Sequence, residues 1–400
     1  MKFLSITAIT LLSIPTALLA ASSTASGIQE LAASSFAPVI EEYQLPGLVV
    51  GVTHHGESCF YTTGLASREE SIAVTPDTLF ELGSVSKLFN VSLAALAEAR
   101  GDINLNEQVS RRLPELEGTP FGDLSLMDLA THHSGGLPLQ VPGPVTDTEA
   151  LVGWLAHWQP SHPGTRSYSN ISIGMLGYIT AKVLNKDYAD AAEQDLFPEM
   201  GLNNTWVNVP ERAMNQYAYG YDRKTDRPVR VNPGVLADEA YGVKSTALDL
   251  VRYLDLQLGH ADDSTHLATA LERTRQGQGR TVDYVQDMIW EQYPWPVNVE
   301  KMVQGNSYAY ILESQPMASI DPPLPPQENV ILNKTGSTNG FGAYVALLPG
   351  EDLGVVVLAN RNFPNEARIR ATHAFIQRVL EYHQPNPVPT STDERSTAMR

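Results

Sequence analysis

The 400-residue chain has one cysteine, Cys59, so it forms no internal disulfide and no cysteine-based metal site. It is also short of positive charge. Lysine and arginine number 27 against 45 acids, a formal net charge of −18, and only eight of the cations are lysines. That balance lacks the basic face that nucleic acid or an anionic membrane would need. After residue 20, no stretch approaches the roughly 20 apolar residues that span a bilayer. The apolar share, 42%, is a globular value and excludes a solvated, coreless chain.

The N-terminus begins with Met1-Lys2 and continues uncharged from Phe3 to Ala20, ending in the small residues Ala20-Ala21-Ser22-Ser23. This reads as a secretory signal peptide over residues 1–20, with cleavage within 20–25. Pro15 and the interspersed Ser and Thr make it a poor anchor, and no cysteine follows for lipid attachment. The mature protein is expected in the periplasm as a monomer, stabilised by packing.

Leu48–Thr53 and Cys59–Thr63 read as strands joined by the turn His54-His55-Gly56-Glu57. From Ser84 the pattern turns helical, with Val85, Leu88, Val91, Leu93, Leu96 and Ala97 at helical spacing and Gly101 as its stop. Helices are expected near 126–132, 150–158, 171–184 and 247–258. Strands return at 329–334, 342–348 and 353–358, and residues 365–381 form a closing amphipathic helix. The expected fold is α/β (α+β): a mainly antiparallel sheet built from both termini and flanked by helices. Its residues are 26–85 and 305–383, a mainly helical region of 86–304 is inserted between them, and 384–400 is a disordered tail.

Three short motifs carry chemistry. In Ser84-Val85-Ser86-Lys87, a serine in the first helical turn shares a face with a lysine three residues on. The helix N-terminus favours negative charge there, and the amine can hold or accept the serine proton. Of the eight lysines only Lys87 has a serine three positions before it. The structural alternative is an N-capping serine with a solvated lysine. Tyr168-Ser169-Asn170 is the one Y-x-N in the chain; lysines nearby would lower the phenol's pKa, and the asparagine can hold an amide. Its alternative is a packed loop tyrosine with a turn-forming asparagine. Lys334-Thr335-Gly336-Ser337 ends a strand, where the glycine lets a ligand lie against the strand, the lysine offers charge to a carboxylate and the Ser337 N–H can serve an oxyanion. The pairs His54-His55 and His132-His133 lack the third ligand and spacing of a hydrolytic zinc site, and no G-x-S-x-G or dinucleotide fingerprint occurs. No metal or cofactor is expected.

S-x-x-K, Y-x-N and K-T-G in this order resemble the class C serine β-lactamases. The likeness includes Gly135 to Pro142, Ala240 to Thr246 and Leu358-Ala359-Asn360, and covers nearly all of the chain after the leader. It implies hydrolysis of the β-lactam amide of cephalosporins and penicillins. Ser84 would be the acylated nucleophile, with Lys87 and Tyr168 handling its proton; which is the general base stays open. Gln140 and Asn170 would hold the substrate's acylamino chain and Tyr241 would line its pocket. Lys334 and Thr335 would face the carboxylate, Gly336 would let the substrate lie close against the strand, Asn365 and Arg368 would sit near the carboxylate end, and the amides of Ser84 and Ser337 would form the oxyanion hole. Ser169, Leu88 and Asn333 depart from the family's usual alanine, threonine and histidine, which bears on substrate preference. A D-alanyl-D-alanine carboxypeptidase or esterase of the same fold, and a β-lactam-binding receptor that acylates and stops, are the alternatives.

Overall fold

The computed structural model describes residues 16–383 apart from 261–264, with side chains from residue 25 onward. The expected leader, residues 1–20, and the tail 384–400 lie outside the residues whose side chains are described.

Ten strands form one sheet: β1 (Gly47–His54), β2 (Glu57–Ser67), β3 (Ile72–Ala73), β4 (Gly277–Arg280), β5 (Val285–Gln286), β6 (Glu291–Pro294), β7 (Ala318–Leu324), β8 (Val330–Ser337), β9 (Gly342–Leu348) and β10 (Leu353–Ala359). Their order is β7-β4-β5-β6-β8-β9-β10-β1-β2-β3, so the first strands lie beside the last. All neighbours are antiparallel. The His54–Glu57 turn and the 353–359 strand fall where the sequence places them. One expectation needs correcting. Strands β4 to β6, residues 277–294, lie in the stretch read as mainly helical, yet they join the sheet. They are two to four residues long, too short to display an alternating pattern.

The central strands are apolar without interruption because both faces are covered. Val50, Val52, Val355, Val357, Tyr344 and Ala346 point into one core; Val49, Val356, Leu358, Ala343 and Val345 point into the other. This is the two-residue period of a pleated strand feeding two layers. The first core is closed by the two terminal helices, α1 (Thr16–Tyr43) and the C-terminal Asn365–His383, through Phe36, Val39, Phe375 and Ile376. The second is closed by α2 (Ser86–Arg100), which ends at the left-handed Gly101, and by the helices Asn170–Val183 and Ala247–Leu258. These are α3 and α4 below, and the C-terminal helix is α5. The cleft opens where the N-terminus of α2 meets the end of β8.

Candidate active site

Ser84 lies in a 3-10 turn, Gly83–Val85, that leads into α2, two residues ahead of the α-helix proper. One turn on, Lys87 is fully buried; its Nζ donates to Ser84 Oγ at 3.0 Å and to the Ala240 carbonyl at 2.8 Å. Burial pushes the Lys87 ammonium down to about 8; Tyr168 opposes this and the Lys334 charge adds to it. A solvated lysine at a helix cap is thereby ruled out.

Tyr168 is held by the residue after it. Ser169 caps α3, its Oγ accepting from the amides of Ile171 and Ser172 and donating to the Pro138 carbonyl at 2.7 Å. The Tyr168 ring lies between cations: Lys87 Nζ and Lys334 Nζ are each 5.2 Å from its centroid, and Arg166 Cζ is 5.5 Å away. Burial alone would raise the phenol. The charges of Lys334 and Lys87 and a hydrogen bond with Ser84 overcome it, and the pKa falls to about 8. Lys87 and Tyr168 are thus both drawn down toward neutral pH, where an amine and a phenol can each give and take a proton. The His132 ring lies tilted at 52° against that of Tyr168, centroids 4.5 Å apart, with its Nδ1 accepting from the Ser169 amide; burial, then the charges of Arg166, Lys87 and Lys334, keep it neutral.

Across the cleft, the end of β8 is set against the 3-10 turn, backbone to backbone. A Cβ on Gly336 would stand 2.0 Å from the Leu82 carbonyl oxygen and 3.1 Å from the Ser84 nitrogen. A Cβ on Gly83, at φ +52, would stand 2.5 Å from the Ser337 nitrogen. Two glycines therefore let the amides of Ser84 and Ser337 come side by side, as an oxyanion hole requires. Lys334 is 2% exposed and donates to the Thr335 carbonyl at 2.9 Å.

The cleft between these walls has a volume of about 540 Å³, and ten of the twelve residues singled out from sequence line it. Asn170 Nδ2 donates to Gln140 Oε1 at 3.0 Å, and Asn365 Nδ2 to the Asn306 carbonyl at 3.1 Å. Lys87 stands behind Ser84. Arg368 is a correction: fully buried beneath the strand rather than facing the cleft, it donates to the carbonyls of Gly336 (2.6 Å), Ala343 (3.3 Å) and Phe363 (2.5 Å), to Ser337 Oγ (3.1 Å) and to Asn362 Oδ1 (2.5 Å). Both terminal nitrogens are taken up by the protein, while Nε is buried without a partner, so the side chain braces Gly336 and Ser337 from beneath. Sequence reasoning missed Arg166 and Glu291, both lining the cleft. Arg166 stands two residues before Tyr168 and its proximity was the available signal; Glu291 sits in a four-residue strand with no motif around it. Among the described residues no group of three or more His, Cys, Asp or Glu is placed to hold a metal ion.

A serine in the turn that opens a helix, with a buried amine and phenol on one side and paired amides on the other, defines a nucleophilic serine hydrolase. A beta-lactamase family model matches residues 30–378, and the chain belongs to that family. It is 40% identical over 354 residues to a beta-lactamase of Pseudomonas fluorescens, covering 88% of this chain and 99% of that protein. The crystal structure of a beta-lactamase from Sulfitobacter sp. EE-36 is 62% identical and superposes with a TM-score of 0.89, over 90% of this chain and 99% of that one. A class C beta lactamase from Rhodobacter sphaeroides is 60% identical with a TM-score of 0.86, over 88% and 99%.

Proposed function

We propose that the protein hydrolyses the β-lactam amide of cephalosporins and penicillins through an acyl-enzyme on Ser84, and so confers antibiotic resistance. The observation that carries this is the 3.0 Å contact of Ser84 Oγ with the buried Lys87, whose Nζ stands 5.2 Å from the centroid of the Tyr168 ring. Ser84 Oγ attacks the lactam carbonyl carbon as its proton passes to the Lys87–Tyr168 pair. The carbonyl oxygen becomes an oxyanion between the Ser84 and Ser337 amides, each such donor typically contributing about 100–1000-fold in rate. The C–N bond then breaks and the nitrogen takes the proton held by the pair. Water repeats the sequence on the ester, giving its proton to the pair and releasing the acid as Ser84 regains its hydrogen.

Lys334 and Thr335 take the substrate carboxylate, Gln140 and Asn170 the acylamino chain, with Tyr241 along its pocket and Asn365 at the carboxylate end. The leader at residues 1–20 supports export to the periplasm, and the charge of −18 an acidic surface that tolerates salt. The protein acts as a monomer. A chromogenic cephalosporin tests the reading: multiple turnover supports it. One stoichiometric burst would indicate a receptor, and activity confined to simple esters or D-Ala-D-Ala peptides would indicate an esterase or carboxypeptidase.

A further inference from the structure

Among the residues lining the cleft, Glu291 is the one acid within the described part of the chain. It is 5% exposed, and its place on β6 is opposite Asn333, next to Lys334. Its Oε1 lies 3.9 Å from Arg166 Nη2, while Oε2 has no hydrogen-bond partner. A carboxylate out of water needs compensation. Burial raises the Glu291 carboxyl above its ordinary range, and the charges of Lys334 and then Arg166, with Asn306, oppose that rise. These two cations also stand over the Tyr168 ring. A glutamine would fill the same space without a buried charge, so packing does not account for an acid at this position.

We propose that Glu291 is a positioning residue of the reaction: its carboxylate is the counter-charge to Lys334 and to Arg166, which Gln286 anchors through a 2.7 Å hydrogen bond, and this balance of charges sets how tightly Tyr168 binds its proton. Every group facing the phenol enters the balance. Lys87 and Ser84 come from α2 and the turn before it, Lys334 from β8 and Arg166 from the phenol's own segment. His132 is neutral, Tyr284 touches the same Arg166, and Glu291 is the negative contribution. Three cations without Glu291 would favour the phenolate further. Tyr168 would then ionise at lower pH and be a weaker base in the acylation step.

The test is the pH profile of kcat/KM for a chromogenic cephalosporin, read on folded protein of matched thermal midpoint. Glu291→Gln should move the acid limb to lower pH by about one unit and reduce the plateau by up to about tenfold. Arg166→Gln should move the limb the opposite way, and Glu291→Asp, which keeps the charge, should restore the wild-type limb. A reduced plateau with an unmoved limb in both glutamine variants means mere scaffolding and overturns the proposal, as does a shift of both in the same direction. The inference rests on β-lactam turnover by the wild type. Absence of that turnover would sink the functional reading, whereas turnover with unmoved limbs sinks this one alone.

Discussion

On the helical wall of the cleft the working atoms belong to side chains: Ser84 Oγ, Lys87 Nζ and the Tyr168 phenol. On the strand wall many belong to the backbone, namely the amide of Ser337 and the glycine-bared edge of β8 at Gly336, braced from below by Arg368. The first wall moves a proton and makes a bond; the second receives negative charge. The difference teaches where each wall is fragile. A side-chain wall fails when a functional group is removed, and a backbone wall fails when an atom is added or the brace is cut.

The largest expected effect is on the helical wall. Ser84→Ala should abolish turnover with the fold intact, because neither Lys87 nor Tyr168 is placed to form the ester; only background from binding and the oxyanion hole remains. Mass spectrometry of wild type mixed with a slow substrate should locate the adduct on the peptide holding Ser84. An adduct elsewhere would break the assignment of nucleophile to this wall. Next comes Tyr168→Phe, which keeps the ring and its tilted contact with His132 but loses the phenol oxygen. The kcat loss should be on the order of 10²–10⁴-fold. A loss under about threefold would make Tyr168 a packed aromatic, assigning the proton step to Lys87 alone.

The strand wall should respond to addition. Gly336→Ala places a Cβ where the Leu82 carbonyl oxygen stands, 2.0 Å away, and neither backbone can retreat without parting the two amides. The expected outcome is a kcat lower by about 10²–10³-fold, the scale of one oxyanion donor, with KM changed much less. An effect confined to KM would mean that Gly336 serves substrate access and not the oxyanion.

Much of this was legible because each catalytic group on the helical wall sits in a short local motif, although Tyr168 lies 81 positions from Lys87. Ser84 and Lys87 announce themselves by helical spacing, and Tyr168 and Asn170 by their place at a helix start. The near-continuous apolar runs that place β1, β9 and β10 are equally local. The strand wall was legible only in part. Lys334 to Ser337 form a recognisable run, but the direction of Arg368 depends on Gly336, Ala343 and Phe363 meeting around it, a tertiary fact that no local pattern carries. Glu291 was invisible for the same reason: its importance lies in Arg166, 125 positions away, and in Lys334 on the next strand. The two-residue strand Val285–Gln286 could be seen only once its partners were in place.

The smallest expected effect contrasts the cleft with the rest of the surface. Lys87, Lys334 and Arg166 concentrate positive charge in a buried site, whereas the whole chain carries −18. Buried charges at short range are screened little by salt; exposed ones are screened fully, as the Debye length falls from about 10 Å at 0.1 M to about 3 Å at 1 M. Adding salt should therefore relieve repulsion across the outside while leaving the proton chemistry of Tyr168 in place. Between about 0.05 and 1 M NaCl the thermal midpoint should rise by a few degrees, with kcat nearly constant. The rise is small because charged residues are only 18% of the chain, so exposed like charges are widely spaced. A flat or falling midpoint would remove surface repulsion from the account. A kcat that fell in step with screening would show that the cations around Tyr168 are reached by solvent ions, against their burial.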